Sequence, residues 1–256
     1  MTLRSVKRAA ALAAVSLLFL AHVPLAHPFD QTYESTVEAL ETYRTLIADY
    51  PEDLELRYLL GDMQIRAGKL DDAGATFEQL LTLDPGYDMA HYRLAEVFYR
   101  REKYAEALTP LEKMKDKSLQ DDKLIAMATV FLKLENPRKA LELSRKAIET
   151  DELNPGGWLH MGLAFRDMGE TEKAIEYMEK SFLMDPAQPL VFEWYDELLE
   201  KHRTPAQRLE ILQRLLKKIP RDYTAAVRMK DRIKSLKGKM EKEPGKRTPS
   251  KNGKNP

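Results

Sequence analysis

The side chains in this chain that could carry chemistry are few and scattered. Its five histidines, His22, His27, His91, His160 and His202, form no HExxH pair, and there is no cysteine to add a thiolate. Neither a glycine-rich phosphate loop nor a nucleophile elbow occurs. Catalysis needs a nucleophile, an acid or base of tuned pKa, or a metal held in place. With no such constellation, the chain is expected to be no enzyme and to take no cofactor or metal. His27 carries one sharper idea. Cleavage after Ala26 would put a free amino group beside its imidazole, a pair able to chelate copper, although a copper site wants further histidine ligands. His160 stands beside Trp158 and Gly162, where a lone histidine reads either as a locally hydrogen-bonded residue or as one lining a groove.

The elements that must position such residues are clearest from Pro155 to Pro186. Trp158, Met161, Gly162 and Phe165 recur at helical spacing, Gly169 breaks the helix, and Ala174, Met178 and Ser181 continue a second apolar or small face before Pro186 stops it. The same punctuation recurs along the chain. Ala39, Ala73, Ala107, Ala140 and Ala174 are separated by 34, 34, 33 and 34 residues. Small residues at Gly61, Ala95, Ala128 and Gly162 predict close approach of paired helices, with Phe77, Phe98, Phe131, Trp158 and Phe165 filling the space between. This pattern resembles the tetratricopeptide repeat, a helix-turn-helix unit of about 34 residues. The resemblance implies an all-α fold, a right-handed superhelical solenoid of helix pairs, each burying its apolar stripe against its neighbours.

On that pattern, residues 27–53 hold a half-repeat helix. Five units follow at 54–87, 88–120, 121–154, 155–188 and 189–223, then a capping helix at 224–236. The second unit ends indistinctly, because MKDKSLQ replaces the Asp-Pro turn. The fifth departs most. Asp196 stands where other units have Gly or Ala, and Arg208 where they have Ala, which predicts looser packing and a unit facing solvent or a partner.

Both ends differ from the body. Residues 1–26 carry Arg4, Lys7 and Arg8, an apolar run from Ala9 to Ala21 and a small residue at Ala26. This is the anatomy of a secretory signal, so export to the periplasm or an equivalent envelope compartment is expected. The rival is an uncleaved inner-membrane anchor through residues 9–26, since 18 residues approach the length of a span. Residues 237–256 are rich in Lys, Pro and Gly and predict a disordered basic tail, either a solvating segment or a tether to an anionic surface such as lipid headgroups or cell-wall polymer. Between the ends lie 31 basic and 39 acidic residues. Such an acidic body argues against nucleic acid as a partner.

Members of the family commonly bind extended peptides or partner helices on the concave side, lined by the first helix of each unit. Counting from the packed face places Tyr58, Asp62, Ile65 and Arg66 there from the first unit. Tyr92, Arg93, Glu96, Tyr99 and Arg100 follow from the second, and Thr129 and Lys133 from the third. Leu159, His160, Leu163 and Arg166 come from the fourth, and Glu193, Trp194 and Glu197 from the fifth. Tyr, Trp and Arg are the types that carry interface energy. Chaperone-binding relatives clamp a peptide carboxylate with Lys and Asn. No Asn lies on these faces, and Arg93 with Arg100 is the nearest substitute for recognising an anionic group. The expected function is a non-enzymatic scaffold holding a protein or peptide partner in this groove. The alternatives are a membrane-anchored assembly factor and an accessory subunit of an envelope enzyme or export complex.

Overall fold

The computed structural model describes residues 28–221 and 223–242 of the 256. The leader, His27, the run at 9–26 and residues 243–256 of the tail lie outside them. The described residues form twelve α-helices and one short 3-10 turn, with no strand. They divide into two compact units, up to Leu134 and from Glu135.

The first unit contains α1 (Pro28–Asp49), α2 (Leu54–Arg66), α3 (Leu70–Leu83), α4 (Asp88–Arg100), α5 (Tyr104–Lys113) and α6 (Gln120–Lys133). No helix buries its stripe alone. From α1, Ala39, Leu40, Tyr43 and Leu46 pack with Leu56, Leu60 and Met63 of α2. On the other side of α2, Ile65 meets Ala73, Phe77 and Leu80 of α3, and the same cluster takes in Ala90, Leu94 and Val97 of α4. Complete burial of Phe77 and Leu80 contributes about 1.5–3 kcal/mol each. The close approach expected at Gly61 is real. A Cβ built there would lie 2.5 Å from Cζ of Phe77.

Four of the turns between helices hold one residue in the left-handed region, whereas the turn between His202 and Pro205 does not, Arg203 being extended at φ −129°. Gly68 supplies that residue at φ 72° and Gly169 at φ 78°, where glycine has no Cβ to clash. At the two intervening equivalent positions the chain uses Glu102 (φ 60°) and Glu135 (φ 55°) instead, each at a steric cost that glycine avoids.

The indistinct end of the second repeat has a structural counterpart. The helix α5 has 10 residues, against 14 in α3, and contains Pro110. Proline within a helix removes an N–H and crowds the carbonyl one turn back. The chain then leaves at the extended, buried Met114. The carboxylate of Asp88 accepts hydrogen bonds from the backbone N–H groups of Lys115 and Asp116, pinning the irregular segment to the start of α4.

The second unit contains α7 (Pro137–Thr150), α8 (Pro155–Asp167), α9 (Thr171–Met184), α10 (Pro189–His202), α11 (Pro205–Leu216) and α12 (Thr224–Lys242). At Gly162 of α8, an added Cβ would meet Met178 Cγ at 2.6 Å and its backbone N at 3.0 Å. Looser packing at Asp196 and Arg208 is not what the structure has. Both are buried, 1% and 5% exposed. The Arg208 guanidinium grips the Asp196 carboxylate through two bonds of 2.8 and 2.6 Å. Glu200 at 3.0 Å and Arg232 of α12 at 3.1 Å complete the cluster. A bidentate ion pair fills the volume where other repeats bring small residues together. Because each charge has a partner, burial is tolerated.

The helix α11 opens with a capping box, Thr204 and Gln207 bonding reciprocally. The last helix runs six residues beyond the Leu236 expected from sequence, so residues 237–242 are helical and not part of a disordered tail. Leu236 is buried, and Lys239 and Lys242 sit in the last turn, where positive charge suits the helix dipole.

Candidate functional site

The first-helix face of the first unit is cross-linked by charge. Arg93 of α4 reaches back to α2, donating from Nε to the Tyr58 hydroxyl at 3.2 Å and approaching Asp62 at 2.9 Å. On its own helix it bonds Glu96 at 2.8 Å. Glu96 also holds Arg100 at 2.6 Å, and Asp62 also holds Arg66 at 2.8 Å. Tyr58, Asp62, Arg66, Arg93, Glu96 and Arg100 are therefore one network across two repeats. With three carboxylate or hydroxyl partners, the guanidinium of Arg93 has its pKa pushed still further above the ordinary range, despite the opposing effect of its burial.

This redistributes the roles expected from sequence. Arg93 is a positioning residue, its donors occupied and its side chain 28% exposed. Arg66 and Arg100 each give one N–H direction to a carboxylate and are 66% and 49% exposed. They occupy equivalent positions one repeat apart, and they, not Arg93 with Arg100, are the pair free to meet an anionic group. Tyr92 is half-buried. Burial, then the carboxylates of Asp122 and Glu96, push its phenol pKa up, so it stays neutral. Tyr99 packs edge-on against Tyr104 at 5.4 Å, and Tyr58 lies 6.0 Å from both Phe77 and Tyr87. Lys133 is exposed in the last turn of α6, one turn from Thr129, whose hydroxyl donates to Ile125 O.

In the second unit, His160 donates from Nδ1 to the carbonyl of Gly156 at 2.8 Å. Burial lowers its pKa, and that hydrogen bond opposes the shift. The imidazole is thus neutral near pH 7. Arg166 pairs with the adjacent Asp167 at 2.8 Å. Glu193 is bound by Arg228 of α12 at 2.6 Å, and Trp194 is 38% exposed. Ile65, Leu159 and Leu163, expected to line the groove, are core residues at 3%, 7% and 8% exposure. An apolar residue at the edge of a helix's buried arc turns inward, because the arc spans more than 100°.

One regularity escaped sequence reasoning. Carboxylates at Asp62, Glu96 and Glu197 pair with bases four residues on, at Arg66, Arg100 and Lys201. The same position holds Thr129 in the third repeat and Leu163 in the fourth. The acid-to-base spacing of four was visible in the sequence and could have revealed it.

Among the described residues no three His, Asp or Glu side chains come together as a metal-ligand set, and no helix is long and apolar enough to cross a membrane. The repeating geometry is matched by comparison with known proteins. The profile described as tetratricopeptide repeat matches residues 38–88 and 66–118, and a second profile of the same description matches 155–188. The chain carries tetratricopeptide repeats. Tetratricopeptide repeat protein 21A of Mus musculus is 27% identical over 159 residues, which is 60% of this chain but only 12% of that protein. Among solved tetratricopeptide-like folds, yeast Tom70 superposes with a TM-score of 0.62 at 13% identity, over 92% of this chain and 48% of that one. The chain of MamA from residue 41 of Desulfovibrio magneticus RS-1 gives 0.57 at 20% identity, covering 73% and 97%. These structural likenesses establish the fold.

Proposed function

We propose that this protein is a non-enzymatic scaffold that holds a protein or peptide partner against its first-helix faces. The observation that carries the reading is the network on α2 and α4. It fixes the side chains in place before any partner arrives, so little conformational entropy is lost on binding. It also leaves the spare N–H groups of Arg66 and Arg100 exposed, and the helix that carries Arg100 carries half-buried Tyr92 as well. Rigid aromatic and arginine side chains are those that supply most binding energy. The partner chemistry this favours is an extended segment with an acidic group for the arginine forks and an apolar group for the tyrosine.

The location we propose is the periplasm or an equivalent envelope compartment, supported by the basic start, apolar run and Ala26 of the leader. The length of that run supports a second reading, an envelope assembly factor anchored through residues 9–26 with its basic end against an anionic surface. The test is capture from the native envelope fraction with the wild type and with Tyr92→Ala/Arg100→Ala. A folded double variant should lose partners that the wild type retains. Identical partner lists would contradict the reading. N-terminal sequencing decides between the locations, a start at His27 supporting the exported form and an intact Met1 in membranes the anchored one.

A further inference from the structure

Between the second helices α3 and α5 the first unit has a cleft of about 700 Å³, on a different face from the one considered above. Its apolar lining comes from Leu81, Pro85, Leu94, Phe98 and Pro110. Charge is distributed along it with polarity. Glu106 lies in the first turn of α5, near the Phe98 end of α4. Lys113 is in the last turn of α5 and Lys115 lies just beyond, at the end where α4 begins with His91. Seven residues of helix separate Glu106 from Lys113, a rise of about 10 Å.

His91 also lines the cleft and is 3% exposed. Its Nε2 lies 3.0 Å from the carbonyl of Pro85. A carbonyl can only accept, so Nε2 carries the proton and Nδ1 of the neutral ring is a lone-pair acceptor. That Nδ1 has no hydrogen-bond partner among the described residues. A buried acceptor without a donor is unfavourable, and an N–H entering beside it relieves the deficit.

We infer that this cleft is a second binding site, for an extended peptide segment of a partner protein bearing one basic and one acidic residue about three positions apart with an apolar residue between. Three extended steps cover about 10 Å, which matches the separation of the acidic and basic ends. The basic side chain meets Glu106, the acidic one meets Lys113 and Lys115, the apolar residue rests on Leu94 and Phe98, and a peptide N–H approaches His91.

Fluorescent octapeptides test this on the full chain by anisotropy. The probes are Gly-Ser-Lys-Leu-Ala-Glu-Ser-Gly and its doubly basic and doubly acidic counterparts, with Lys or Glu at both charged positions. The bipolar peptide should bind about tenfold tighter than either, as two matched pairs replace one matched and one repelling. Lys113→Glu/Lys115→Glu should shift the preference to the doubly basic peptide, and Glu106→Lys to the doubly acidic one. All three positions are exposed, and thermal unfolding checks that each variant is folded. An unchanged order of affinities in the variants, or no binding by any peptide at millimolar concentration, overturns the inference. Loss of this binding leaves capture through Tyr92 and Arg100 unaffected, so the two sites fail separately.

Discussion

Replacing Asp196 by alanine should strip the buried guanidinium of Arg208 of its bidentate partner. Two bonds, of 2.8 and 2.6 Å, disappear from a site where the arginine is 5% exposed. Breaking a buried pair by removing one member costs about 3–5 kcal/mol. Here the lower end applies, because Arg208 keeps Glu200 at 3.0 Å and that carboxylate is 56% exposed. Asp196→Ala/Arg208→Ala removes both charges and recreates the small pair of the other repeats. It leaves a void but no orphaned charge, so it should be less destabilised than Asp196→Ala alone. Both tryptophans, Trp158 and Trp194, lie in the second unit, so tryptophan fluorescence in urea reports on that unit. With a slope of about 2 kcal/mol per molar, a loss of about 3 kcal/mol lowers the midpoint by roughly 1.5 M. A loss below about 1 kcal/mol in Asp196→Ala, or a double variant less stable than the single one, would refute the reasoning.

Other outcomes follow from single contacts. Gly162→Ala puts a methyl 2.6 Å from Met178 Cγ, and should cost about 1–3 kcal/mol by overpacking, read from the same urea transition. Glu102→Gly relieves a left-handed residue in the first unit and should stabilise it by about 0.5–1 kcal/mol after the entropy of the unfolded glycine is counted, measured by calorimetry. His160 has a lowered folded pKa, so the unfolded chain takes up its proton first. The stability it confers is present above the unfolded value near 6.5 and is lost as pH falls below it. His160→Gln should flatten that part of the profile, and an unaltered slope between pH 7 and 5 would count against the assignment.

The repeat was legible in the sequence wherever one residue type did one job. Gly61 and Gly162 admit a neighbouring helix, Gly169 takes the left-handed turn, and period and spacing disclosed them. Glu102 and Glu135 occupy the same turn, yet nothing in a glutamate announces a positive φ. Asp196 and Arg208 looked like defects because each was weighed singly. Opposite charges 12 residues apart across a helix turn are a pair, and only their joint burial explains them. The face with Arg93 was identified, but not the occupation of its donors, because Tyr58 and Asp62 lie one repeat away and the register between first helices is set by packing. The second-helix cleft is lined by residues from three helices, Leu81, Phe98 and Pro110 among them, and no single stretch of sequence marks it.

A photo-crosslinking residue placed at Arg66 or Arg100, with a third at Lys180 on the second helix α9 as reference, tests the scaffold proposal most directly. Irradiated in the native envelope fraction, the first two positions should trap the same partner and Lys180 should not. Copurification of that partner with adducts at Lys180 and none at Arg66 or Arg100 would contradict binding on the first-helix face.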